Sequence, residues 1–88
     1  MSVENIIDNL DENAKNIVGD IIRRLRFEKG ISQKELSDRF NEISWAQTAM
    51  SASTLSKIER GRRGVSDIEV AAFAISFGIT VKQLFGED

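Results

Sequence analysis

Eighty-eight residues make one domain, long enough to bury about two-thirds of the surface its unfolded chain exposes and too short for a second core. With no cysteine and no histidine, disulfide staples and thiolate zinc sites are excluded, and the commonest general base and metal ligand are missing. The formal net charge of −2 is unevenly spread: residues 23–63 hold ten Lys and Arg against five acids, while residues 1–22 and 64–88 hold one lysine each against five and four acids.

A basic middle between acidic ends can turn one positive face toward phosphates although the whole chain is acidic. The bland alternative is a mixed-charge surface with no such partner. No apolar run approaches the ~20 residues that span a bilayer. The opening MSVENIIDNL has neither the basic start nor the long apolar core of a signal peptide. The expected setting is cytoplasmic and reduced, with no membrane partner.

In chain order, Val3, Ile6, Ile7 and Leu10 carry a helical spacing that Ala14, Ile17, Ile21, Ile22 and Leu25 continue. Val3, Ile7, Leu10, Ala14, Ile17 and Ile21 alternate by three and four, like a coiled-coil seam. Asp11-Glu12-Asn13 interrupts the run, because Asp and Asn cap helices as readily as they sit inside them. The pattern predicts a short N-terminal amphipathic helix over residues 1–12, then a helix from about Glu12 to Glu28 closed by Gly30. One bent continuous helix is the alternative. The N-terminal stripe suits an intramolecular core or a dimer surface. It is too acidic for an anionic membrane.

Ser32-Gln33-Lys34-Glu35 has the S-x-x-E pattern of a capping box and opens a second helix with Leu36 and Phe40 on its inner face. Residues 41–50, NEISWAQTAM, hold no period, and the reading here is the end of the second helix, then a loop partly pinned by Trp45. As aromatics chiefly supply buried area, Trp45 and Phe40 read as core or loop anchors and not as base-stacking groups. Ser51 caps a third helix, MSASTLSKIERG. Leu55 and Ile58, three apart, turn inward. Ala52, Ser53, Ser56 and Lys57 form a small polar outer face, and Gly61 ends the helix between Arg60 and Arg62-Arg63. Ser66-Asp67-Ile68-Glu69 opens a fourth helix whose expected buried stripe is Ile68, Ala71, Ala72 and Ile75, flanked by Val70 and Phe73. Gly78 closes it. Thr80-Val81-Lys82-Gln83 opens a last turn with Val81, Leu84 and Phe85, before Gly86. Nothing reads as a strand pair, so the fold class is all-α.

The run IIRRLRFEKGISQKELS, followed by STLSKIERGRRGVSDIEVAAFAISFGITVKQLFG, resembles the lambda-repressor-like Cro/CI family of helix-turn-helix proteins, often called XRE. The resemblance covers residues 17–86. It implies a compact five-helix bundle over residues 13–88, with residues 1–12 as an added N-terminal helical extension. It also implies sequence-specific binding of double-stranded DNA by a transcriptional regulator, a repressor by expectation, with helix 52–59 in the major groove. The partner would be a palindromic operator, bound by a homodimer. No catalytic residue, metal, cofactor or small-molecule ligand is implied.

Position by position, the resemblance makes Ala52, Ser53, Ser56 and Lys57 base-facing. It makes Gln33, Ser51, Thr54, Arg60, Arg62 and Arg63 phosphate-binding, and it pairs Arg26 with Glu59 as a buried ion pair between the first and third helices. Arg23, Arg24 and Lys29 either solvate the first helix or lie near phosphates. The dimer surface is expected in the last turn, Val81 to Phe85, in the N-terminal stripe, or in both. One departure stands out: ten residues separate Phe40 from Ser51, more than the family's usual tight turn. The extension is a packed surface loop, an added DNA contact or a dimer contact. The rival function is a protein-interaction module, such as an antitoxin or anti-repressor partner on the same scaffold. An enzyme is not expected.

Overall fold

The computed structural model describes residues 17–86. The expected N-terminal helix over residues 1–12, its seam and the start of the helix expected from Glu12 lie outside the described residues. Five α-helices follow: α1 (Ile17–Lys29), α2 (Gln33–Asn41), α3 (Ala52–Glu59), α4 (Asp67–Phe77) and α5 (Val81–Leu84). One 3-10 turn, Ser44–Ala46, lies between α2 and α3, and the described residues contain no strand.

Local chemistry sets the helix starts. Ser32, Ser51, Ser66 and Thr80 each accept a hydrogen bond from a backbone N–H three residues on, satisfying a donor that the first turn leaves orphaned. At Ser66–Glu69 and Thr80–Gln83 the reciprocal bond is also made, so both boxes are complete. At Ser32 only half of the expected box forms. The Glu35 carboxylate accepts instead from Arg39, one turn later, at 3.1 Å. The helices stop at Gly30, Gly61, Gly78 and Gly86, all at positive φ. Gly61 (φ 72°) matters most here. It lets Arg62 N–H reach back to Lys57 O at 2.8 Å and turns the basic segment sharply away from α3.

The core forms where α2 crosses α4, with α3 held against α1 and α2, and α5 against α4. Phe40 and Phe73, both fully buried, meet with ring centroids 4.7 Å apart at a 50° tilt, a favourable offset geometry. Ile21, Ile22, Leu36, Leu55 and Ile58 fill in around them.

Two expectations are corrected. Of the stripe expected to be buried on α4, Ala72 is buried, but Ile68 and Ile75 are 47% and 55% exposed. The inward residues are Glu69, Ala72, Phe73, Ala74, Ser76 and Phe77. Helix α4 is apolar nearly all round, so periodicity alone cannot choose its phase. The two phenylalanines and the anchored Glu69 choose it. Second, Trp45 does not pin the 41–50 loop, being 46% exposed. In the tight 3-10 turn, adjacent side chains diverge by a third of a turn. The small Ala46 takes the inward slot toward α2 and α4, and Met50 fills the next. Phe73→Ala should therefore lower stability by about 3–5 kcal/mol, and Trp45→Ala by less than about 0.5 kcal/mol. Urea unfolding followed by circular dichroism measures both.

Candidate nucleic-acid interface

The outward surface around α3 is assembled from its supports upward. Ser51 Oγ accepts from Thr54 N–H at 3.0 Å and donates to Thr54 Oγ1 at 3.0 Å. Leu55 and Ile58 are fully buried on the inner face. On the outer face Ser53 and Lys57 are exposed, and Ala52 and Ser56 are half-buried. The four residues thus form two adjacent pairs one turn apart on one side of a short helix. The Ser44–Ala46 turn packs against α2 and α4, and it leaves this face open.

The back of α3 ends on a buried charge. Glu59 is the last helical residue, and its side chain is 3% exposed. Arg26 of α1 grips it with two parallel bonds, Nε to Oε2 at 2.8 Å and Nη2 to Oε1 at 2.9 Å. This fork-on-carboxylate geometry fixes direction as well as distance. The remaining Arg26 nitrogen, Nη1, donates to Ile31 O at 3.1 Å, tying in the α1–α2 turn. Phe27 lies under the same guanidinium, 4.7 Å from ring centroid to Cζ. The Glu59 hydrogen bond raises the Arg26 pKa still further, against the opposing push of burial. Gln33, the first residue of α2, donates from Nε2 to Glu59 Oε1 at 3.3 Å. A primary amide has two N–H groups, so Gln33 retains one for an outside acceptor.

The basic turn after α3 divides in two. Arg60 and Arg62 are exposed, Arg60 with its Nε on Ser56 O at 3.3 Å. Arg63 instead turns to Glu69, Nη2 to Oε2 at 2.8 Å and Nη1 to Oε1 at 3.2 Å, and to Gly64 O at 2.9 Å. Glu69 also accepts from Ser66 N–H at 3.0 Å. Its carboxyl pKa is held down to about 2, first by the Arg63 hydrogen bond, against the upward push of burial. The Ser66 N–H and the Thr48 hydroxyl lower it further. Arg23 and Arg24 on α1 both meet Asp20, at 3.3 and 2.8 Å.

Sequence reasoning missed two of these contacts. Glu69 was visible only as a capping residue, because no periodic rule relates it to Arg63 across a turn. Asn41 carries no sequence signal for a side-chain role, yet its amide meets the backbone of Met50 twice. Nδ2 donates to Met50 O at 2.6 Å, and Oδ1 accepts from Met50 N–H at 2.8 Å.

A family model described as helix-turn-helix matches residues 22–84. The chain belongs to this family, the helix-turn-helix proteins of the Cro/CI type, and is a DNA-binding transcription regulator. Comparison with curated proteins and with solved structures gave no match. No helix among the described residues is long and apolar enough to cross a membrane.

Two outcomes follow from the buried carboxylates. Glu59→Ala strands Arg26 in a site 12% exposed and should cost about 3–5 kcal/mol. An unchanged melting temperature and unchanged duplex affinity would refute that. Glu69 binds its proton more weakly in the folded chain than in the unfolded one, where its pKa is near 4.5. Its contribution is therefore complete above about pH 4.5 and drains away as the pH falls toward about 2. Arg63→Gln should flatten that acid limb, as read by melting temperature against pH.

Proposed function

We propose that this regulator reads duplex DNA with α3 in the major groove and represses by occupying its site. The observation that carries this is the two-sided character of α3. Its last residue is locked from behind by Arg26, and in front Ser53 and Lys57 are exposed beside the half-buried Ala52 and Ser56. In that pose Lys57 donates to guanine O6 or N7, the serines donate or accept, and Ala52 meets a thymine methyl. The planar two-pronged readers Arg, Asn and Gln are absent from these positions, so DNA shape and deformability share in the discrimination.

Phosphates are met by Gln33 and by Ser51 and Thr54 at the start of α3, where free N–H groups and the helix dipole favour anions. Arg60 and Arg62 supply the cations on either side of Gly61. Arg63 joins them only by leaving Glu69. A helix of eight residues reads few bases, which supports a homodimer on a palindrome with half-sites about one helical turn apart. Val81, 42% exposed at the start of α5, supports the last turn as the meeting surface. Such a protein acts in the cytoplasm, beside the DNA it controls.

Selection of bound sequences from a random duplex pool at two salt concentrations tests this reading. An enriched palindrome supports it. No enrichment at low salt sinks it and favours the protein-interaction module. On the enriched duplex, Arg62→Ala should reduce the slope of log affinity against log salt by about 0.9, and Lys57→Ala should relax the choice of one base at a cost of about 1–3 kcal/mol.

A further inference from the structure

Helix α3 is an eight-residue rod, about 12 Å long at 1.5 Å per residue. A rod held at one end swings: a displacement of about 1 Å at its free end tilts it by about 5°, enough to move side chains off base edges. The Arg26–Glu59 pair holds the C-terminal end. The other end leaves a long connection that carries an exposed Trp45 and a left-handed Gln47, a poor mechanical link.

That connection is bypassed. Asn41 ends α2, and Met50 lies one residue before the Ser51 cap. The Asn41 amide offers one donor and one acceptor to the two backbone groups of Met50, at 2.6 and 2.8 Å, as a paired strand would. Met50 is itself 3% exposed and packed in the core. Position 41 thus grips a backbone point that is fixed on its other side by burial. Ala46 and Ile43 pack on the core within residues 42–49, but the two Asn41 bonds are the short link from the end of α2 to the residue before the α3 cap.

We infer that Asn41 is a positioning residue for DNA reading, acting through Met50 to fix the N-terminal end of α3, and that the exposed Trp45 of the loop it closes takes no part in that link. The inference rests on the DNA reading above. It goes beyond it by assigning sequence discrimination to a side chain that touches no DNA.

The test uses the full chain, the duplex enriched by selection and a scrambled duplex of equal length. Asn41→Ala should keep its helical circular dichroism at the assay temperature and keep its affinity for the scrambled duplex. Its preference for the enriched duplex should fall by about tenfold, the size of one lost base contact. Trp45→Ala, in the middle of the loop, should keep the wild-type preference. Equal preference in wild type and Asn41→Ala overturns the proposal alone. A loss in Trp45→Ala as large as in Asn41→Ala overturns the bypass. No enrichment by the wild type overturns the DNA reading, and this proposal with it.

A second variant tests the grip apart from DNA. In Asn41→Asp the ionised carboxylate accepts from Met50 N–H but faces Met50 O with no proton to give. Protonated, it again has one donor and one acceptor. Its folded-state pKa is then raised, so the melting-temperature gap to wild type should narrow as the pH falls from 7 to about 4. A gap that stays constant overturns the grip.

Discussion

The structure depends on the carboxylate of Glu59. A carboxylate taken from water at the end of a helix must be met by charge and by hydrogen-bond donors, or it will not stay. Arg26 from α1 and Gln33 from α2 meet it, and Arg26 also holds the Ile31 carbonyl between those helices. Three helices and one turn are thereby referred to a single point. Such a pair contributes little net stability compared with an apolar replacement, because desolvation offsets attraction. What it supplies is direction: a fork on a carboxylate tolerates little rotation.

Glu69 follows the same logic at the start of α4. Together the two acids remake the charge pattern that the sequence displays. Ten basic side chains crowd residues 23–63, but Arg26 and Arg63 are turned to internal carboxylates. Arg23, Arg24, Lys34 and Arg39 lie on acids of their own helices. Lys29 is exposed at the end of α1, and the cations facing outward beside α3 are Lys57, Arg60 and Arg62. The positive face is therefore narrow and local, which reconciles an acidic protein with a phosphate-bearing partner.

How much was legible in the sequence depended on range. Helix starts at Ser32, Ser51, Ser66 and Thr80 and stops at the glycines are written within four residues, and they read directly. The phase of helix α4 did not read. Its apolar residues circle the axis, and its phase is decided by Phe40, 33 positions away in the chain. Trp45 misled because size suggested burial, while the inward slot of a 3-10 turn went to Ala46. The Arg26–Glu59 contact also spans 33 residues. Only the resemblance to a family points to it, since no local pattern does. Asn41 left no signal at all: an asparagine at a helix end is ordinary chemistry, and its partner is a backbone that every residue has.

Trp45 is the chain's only tryptophan, and it stands half-exposed on the segment between Asn41 and Met50. Its fluorescence is therefore a gauge of that segment and not of the Phe40–Phe73 core. An optical titration of this protein would register the freeing of one loop, while the helical backbone signal registers the melting of the bundle. The spacing between the two curves is a direct readout of how independently the segment lives.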